Sequence, residues 1–419
     1  MKKKKSLPPK KSFLSILGPG LITGAADDDP SGIATYSITG AQYGTSFLWL
    51  TWFTWPLMAA VQMMCARIGL ITGHGLARAL SHKFPRPILI FFCCLLLLAN
   101  TINIAADFVG MADAAEMLSG VDSKIAVVVF AIGIGYSIVM FRYHQIANVL
   151  KWLSFALFAY IAVPFMLEPN WLDIVKKSFT ITLPQDEEGW ETVVAILGTT
   201  ISPYLFFWQA SQEVEETEAR GLHGDDPRVQ KIVLKERAID VTAGTFLSNI
   251  VMFFIILSTA LALNAHGVTK ITTSREAAEA LKPLGGEWAV IFYTVGLISV
   301  GLLAIPTLAG SSAYAFAEVF GHHKGLNNKL NQAKFFYGVI IFSIACGVIF
   351  TFLNINPIRA LYWSAVINGV LAPFILLGML AVSMDNKLMK NRSTSKLGKM
   401  AVWVATGLMT AAGFAFLIH

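Results

Sequence analysis

Residues 13–42, SFLSILGPGLITGAADDDPSGIATYSITGA, form an apolar run long enough to cross a bilayer, interrupted at its middle by Asp27, Asp28, Asp29, Pro30, Ser31 and Gly32. A carboxylate near a bilayer centre costs at least about 2.5–3.5 kcal/mol on insertion scales, so three in succession demand a compensating role. Pro30 lacks a backbone donor and turns Asp29 away from helical dihedrals, while Gly32 tolerates dihedrals that other residues resist, so the helix is expected to unwind into two halves. Irregular backbone at membrane depth persists only where it is buried in protein or lines a wet cavity. A broken helix carrying carboxylates at the midplane is therefore read as a cation site, with freed carbonyls and the negative end of the first half-helix adding to the attraction.

The rest of the chain has the composition of an all-α, polytopic membrane protein. It is 55% hydrophobic and only 14% charged over 419 residues, with a mean hydropathy of +0.62, well above a soluble domain of this size. Apolar stretches of bilayer length fall near 13–42, 46–70, 86–112, 124–141, 145–168, 190–211, 239–264, 288–318, 334–353, 356–384 and 397–418, which makes eleven expected spans. The formal charge of +6 does not point to nucleic acid, because the basic residues gather in the N-terminal tail and in alternate loops. That asymmetry places the N-terminus in the cytoplasm and the C-terminus outside a plasma membrane, the inner membrane of a bacterium. The opening MKKKKSLPPKK resembles a signal-peptide n-region, but the run behind it contains three aspartates and no clear cleavage site, so residues 1–12 are read as a retained basic tail. Cys65, Cys93, Cys94 and Cys346 lie in apolar segments without metal or disulfide spacing and read as small core hydrophobes.

Setting aside the last span, 397–419, ten helices divide into two fives: 13–168 and 190–384, with an extracytoplasmic loop at 169–189 and a cytoplasmic loop at 385–396. The sixth helix opens the second half with its own interruption, Gly198-Thr199-Thr200-Ile201-Ser202-Pro203-Tyr204. Two interrupted helices at corresponding positions of two halves are the sequence sign of an inverted-repeat transporter with its site at the midplane. No nucleophile–base pair and no His-rich constellation supports an enzyme, and no GxxxxGK[ST] follows the glycines at 18 and 20. The His322-His323 pair reads as polar surface, and the acidic run from Gln212 to Glu218 as a solvated helix extension, with a cytosolic cation vestibule as the alternative.

The stretches GPGLITGAADDDPSGIATYSITGAQYG, ARIGLITGHGLARAL at 66–80, ADFVGMA at 106–112, GTTISPY at 198–204, TSREAAEALKPLGG at 273–286 and SAVINGVLAPF at 364–374 resemble the NRAMP divalent-metal transporters. The pattern is similar above all to the NRAMP-related magnesium transporters. This resemblance implies the LeuT-type fold, two inverted five-helix repeats plus one C-terminal helix. It also implies a metal held between the unwound parts of helices one and six, as substrate and without a cofactor. Position by position, it assigns ligand roles to the Asp29 carboxylate, the Ala26 carbonyl and the Thr199 carbonyl. Elsewhere the chain departs from the family pattern. The signature Asn is Gly32, the Met of the Met-Pro-His motif is Ser202, its His is Tyr204, and a tenth-helix Gln is Ala365.

A thioether favours transition metals, whereas carboxylate, hydroxyl and carbonyl oxygens suit hard ions, and Mg²⁺ dehydrates reluctantly. The departures therefore predict a roomier, oxygen-lined site for Mg²⁺, with Ser202 as a hydroxyl contact. None of the eight histidines falls inside a span, and the family's third-helix acidic pair is reduced to Asp107 with Ile104 at the other place, which predicts weak or absent proton coupling. A proton-coupled Mn²⁺ or Fe²⁺ symporter, or a carrier of a small organic solute, remains the alternative. Each residue also has a plain reading. Asp29 could cap unwound backbone, Asp27 and Asp28 could line a vestibule or cap the second half-helix, Ser202 could bond its own helix, and Tyr204 could gate or pack. Asp107 could anchor a neighbouring helix, and Asn368 reads as an interhelical hydrogen-bonder. The lipid bilayer and the ion are the only expected partners.

Overall fold

The computed structural model describes residues 16–141, 169–221, 227–271, 274–353 and 357–418, with isolated positions between 142 and 168. The first apolar run is split into α1 (Pro19–Asp27) and α2 (Pro30–Tyr43). There follow α3 (Trp49–Thr72), α4 (Leu76–Leu80), α5 (Arg86–Ser119), α6 (Ser123–Met140) and a short amphipathic α7 (Trp171–Ser178) inside the loop expected at 169–189. The sixth expected span is likewise split, into α8 (Glu187–Thr200) and α9 (Pro203–Ala219). The chain then runs through α10 (Pro227–Ala262), α11 (Ser274–Phe320), α12 (Lys334–Thr351), α13 (Pro357–Met384) and α14 (Lys396–Ile418).

Among the described residues nine helical segments are long and apolar enough to cross a membrane. The count falls short of eleven for two reasons. The first span is made of two half-helices, each too short alone, and the expected fifth, 145–168, lies almost entirely outside the described residues. Several helices overrun their apolar windows. α5 extends to Ser119 and α10 begins at Pro227, because polar turns at the bundle ends continue the helix beyond the hydrocarbon. The 273–286 stretch, expected as loop, is helical from Ser274 and merges into α11 across a kink at Gly286 (φ 63).

The two interruptions share one local grammar. Asp29 (φ −64, ψ 171) and Ser202 (φ −77, ψ 131) are extended N-caps, and each is followed by proline at the first helical position, Pro30 and Pro203. Proline there removes only a donor that would be unpaired anyway, and its fixed φ suits the new helix, so the chain restarts cleanly after each break.

Around these breaks the helices sort by burial. Every residue in the apolar window of the α8–α9 span is buried, whereas α6 turns Ile125, Val129, Ile132, Tyr136 and Met140 outward. Exposed apolar surface on this scale marks a face for lipid or for another apolar partner. α1 is pressed onto α10. A Cβ on Gly20 would stand 2.6 Å from the Val241 backbone nitrogen, and one on Gly24 would overlap the Gly244 backbone. The Asp240 carboxylate of α10 caps the start of α1, accepting from Gly18, Gly20 and Leu21 backbone N–H groups at 2.8, 2.8 and 3.0 Å. Asp240 is in turn paired with buried Arg237 at 2.6 Å, which also reaches Glu213 of α9 at 3.5 Å; Glu213 and Glu215 are buried, so this part of the acidic run is packed against neighbouring helices and not solvated. Outside the spans, Lys83 pairs with Asp385, whose carboxyl is held down to about 2, chiefly by that hydrogen bond.

Candidate functional site

Asp29 sits between the two half-helices with its side chain turned back on the chain. Its Oδ1 accepts from the Gly32 N–H at 2.7 Å, the N-cap bond of α2, and from the Ser31 hydroxyl at 2.5 Å. Its Oδ2 accepts from Asn103 Nδ2 of α5 at 2.8 Å and lies 3.3 Å from the Tyr204 hydroxyl of α9. Asp29 thus caps the unwound backbone, and its carboxylate also joins three separate elements, α2, α5 and α9. Neither Asp27 nor Asp28 caps the second half-helix; that place is taken by Asp29.

The Tyr204 hydroxyl also donates to the Ala26 carbonyl at 2.8 Å, so it lies between two of the oxygens assigned to the ion by resemblance. The Thr199 carbonyl belongs to the second break; the Ser202 hydroxyl donates to it at 2.6 Å and to the Gly198 carbonyl at 2.8 Å. Ser202 is therefore occupied by its own helix in this conformation. Gly32 leaves room where a Cβ would meet the Asp27 carbonyl at 3.0 Å and Thr199 Oγ1 at 3.3 Å. A side chain there would crowd the contact between the two breaks.

Asp27 and Asp28 face the other way. Ser248 Oγ of α10 lies 3.0 Å from Asp27 Oδ2 and 3.3 Å from Asp28 Oδ1. The three consecutive carboxylates are thus divided, one towards α5 and α9, two towards α10. All three are at most 1% exposed, so the break is closed to solvent. Asp107 is one turn after Asn103 on the same face of α5, buried, with neither carboxylate oxygen hydrogen-bonded, and it feels the charge of Asp29. Asn368 is buried on α13; its Oδ1 has no hydrogen-bond partner, and it shares no described hydrogen bond with the break.

Among the described residues no three His, Cys, Asp or Glu side chains converge as a ready-made metal cluster, so a cation at the break needs carbonyl and hydroxyl oxygens as well. Those are what the unwound backbone offers. The groups gathered at Asp29 are carboxylate, carbonyl, hydroxyl and amide. Such a set suits hard cations.

Sequence reasoning missed two supporting residues, Asn103 and Ser248. Asn103 was findable, since Asn100, Asn103 and Asp107 recur on one face of an apolar span. Asn100 hydrogen-bonds Ser311 and Ser312, both at 2.9 Å. Ser248 carried no comparable signal, being one hydroxyl in a long helix.

The fold and chain relate this geometry to known proteins. The chain is 26% identical over 416 residues to the divalent metal cation transporter MntH of Caldanaerobacter subterraneus subsp. tengcongensis, covering 96% of this chain and 93% of that one. Its fold superimposes on the manganese transporter of Eremococcus coleocola with a TM-score of 0.77 at 17% identity, over 98% of this chain and 88% of that one. It also superimposes on Mhp1, a nucleobase-cation-symport-1 family transporter, with a TM-score of 0.63 at 13% identity, over 96% and 92%. The structural matches show the fold, an all-helical one of the LeuT type. Residues 20–419 match the Nramp family, natural resistance-associated macrophage protein-like, and the chain belongs to that family.

Proposed function

We propose that this Nramp-family protein carries Mg²⁺ across the plasma membrane by alternating access around Asp29, with little or no proton coupling. The observation that carries this reading is the oxygen-only set at the break. Asp29 and the Ala26 carbonyl share the Tyr204 hydroxyl, and at the second break, where the family resemblance places a thioether, Ser202 stands with its hydroxyl turned onto the Gly198 and Thr199 carbonyls. Hard oxygens without a soft donor favour an ion that keeps part of its water shell. In this reading the N-terminus is cytoplasmic and the C-terminus extracytoplasmic, as the distribution of lysine and arginine requires.

One observation favours a second reading, a proton-coupled Mn²⁺ symporter. Asp107 is a buried carboxylate beside Asp29 with both oxygens unpaired, a group able to take up a proton when an ion arrives. Uptake of Mg²⁺, Mn²⁺ and Ca²⁺ into proteoliposomes containing a pH dye, with Asp29→Ala as control, decides between them. Mg²⁺ entry that is lost in Asp29→Ala and brings no acidification is the expected result. Mn²⁺ entry with stoichiometric acidification establishes the symporter instead, and uptake unaffected by Asp29→Ala removes Asp29 from the pathway.

A further inference from the structure

The pair Asp27 and Asp28 is left unexplained by a site centred on Asp29. Asp27 is the last residue of α1 and Asp28 its C-cap (φ −83, ψ 42), so both carboxylates stand at the negative end of that helix. Both are fully buried. No described lysine, arginine or histidine forms an ion pair with either. Their one shared neighbour is Ser248, which has a single hydroxyl proton, yet Asp27 Oδ2 at 3.0 Å and Asp28 Oδ1 at 3.3 Å both approach its oxygen. One proton satisfies one of these contacts. The other pairs oxygen with oxygen and needs a positive centre between them, either a proton kept on one carboxyl or a cation held by both. The remaining oxygens, Asp27 Oδ1 and Asp28 Oδ2, have no hydrogen-bond partner.

A second side chain points to the same place. Tyr36 of α2 is fully buried, and its hydroxyl has no hydrogen-bond partner. It interacts electrostatically with Asp27 and Asp28 ahead of Asp29. Thr200 stands beside it; its hydroxyl proton goes to the Ile196 carbonyl at 2.6 Å, so its oxygen can only accept from Tyr36, which leaves the lone pairs of the phenol oxygen free. A phenol oxygen with free lone pairs, an overcommitted serine and two carboxylate oxygens without hydrogen-bond partners are therefore neighbours on the α10 side of the break. Buried charges persist when they are paired or bind an ion.

We propose that Asp27, Asp28 and Ser248, with Tyr36 at the rim, form a second cation site, distinct from the one at Asp29 and selective for a hard divalent ion. Two carboxylates match a charge of two, and the donors are all oxygen. A monovalent ion would leave one negative charge uncompensated at the negative end of α1.

Equilibrium dialysis of the full chain in detergent against Mg²⁺ in sodium-free buffer, with the bound metal counted by elemental analysis, tests this. The wild type is expected to hold two ions per chain, Asp28→Asn one, Asp29→Ala one, and the double variant none. Ser248→Ala keeps every charge and serves if Asp28→Asn does not yield monodisperse protein; it is expected to weaken the second ion about tenfold and leave the first unchanged. One ion per chain in the wild type, or two retained in both Asp28→Asn and Ser248→Ala, overturns the site. Excess Na⁺ that displaces only the Asp28-dependent ion overturns its assignment as divalent. Retention of both ions in Asp29→Ala, with one lost in Asp28→Asn, refutes the Asp29 reading and upholds this one.

Discussion

Tyr204→Phe deletes one hydroxyl and changes little else, since the ring is buried and its shape is kept. Without an ion, that hydroxyl donates to the Ala26 carbonyl at 2.8 Å and stands 3.3 Å from Asp29 Oδ2. Removing a donor from a buried acceptor costs about 1–3 kcal/mol. Asp29 keeps its Ser31, Gly32 and Asn103 donors, so the lower part of that range applies, about 1–2 kcal/mol. With an ion bound, the metal takes over the Ala26 and Asp29 oxygens and the hydroxyl no longer serves them, so the variant loses little in that state. Linkage then requires that the ion bind more tightly in the variant by the same amount, roughly 5- to 30-fold. Two measurements on detergent-solubilised protein check this: thermal unfolding without divalent ions, where Tyr204→Phe should be less stable than wild type, and calorimetric titration with Mg²⁺, where it should bind more tightly. An unchanged ion-free stability together with an affinity loss of about tenfold or more would refute the reasoning, because it would make the hydroxyl a ligand and not a competitor.

Ser202→Met removes the hydroxyl now bonded to the Gly198 and Thr199 carbonyls and places a thioether at the break. Competition titrations should show preference for Mn²⁺ over Mg²⁺ rising about tenfold, roughly 1.4 kcal/mol. Gly24→Ala drives a methyl into the Gly244 backbone, which has no side chain to move aside, and should destabilise the protein by about 1–3 kcal/mol in thermal unfolding without altering the ligand set. His74, outside the spans, titrates below its ordinary range, chiefly because of burial and then because of Lys324 and Arg78. The unfolded chain therefore takes up that proton first, so stability should fall as pH drops below about 6.5 and level off below the folded value, and His74→Gln should flatten that part of the pH–stability curve.

The two breaks were legible because their cause is covalent: proline after a residue that cannot remain helical, at matching places in two halves. Asp29 was legible for the same reason, since a carboxylate at the break has few other uses. The contacts around it were not. Tyr204 could be read as packing or gate, but that its hydroxyl meets the Ala26 carbonyl depends on how α9 is rotated against α1, which no local pattern records. Ser202 differs again. A serine at the first cap of a proline-started helix can point into the cavity or back at the preceding turn, and here the two freed carbonyls of α8 draw it back. The division of Asp27 and Asp28 from Asp29 follows from the change of dihedrals between Asp28 and Asp29, a consequence of unwinding that becomes visible only once the backbone is placed.

One helix face accounts for the position of the whole first half-helix. Asp240, Gly244 and Ser248 recur every four residues on α10, a spacing that puts them in line along about 12 Å. α1, with its nine residues, is of matching length. Asp240 holds its start, Gly244 admits Gly24 in its middle, and Ser248 meets Asp27 and Asp28 at its end. Arg237, one turn earlier on the same helix, ties that start to Glu213 on α9. α1 is therefore fixed to α10 by contacts that do not involve Asp29 at all. Alternating access needs the path to Asp29 to open at one end and then the other, so α1 must either travel with α10 or break this row. A cation between Asp27, Asp28 and Ser248 would strengthen the far end of the row while leaving Asp240 to hold the near end. In that state α1 can swing about a fixed end once Asp240 lets go of its start, and removing the ion loosens the far end instead. The Asp27–Asp28 pair thus sits where it can decide which of these motions the helix makes.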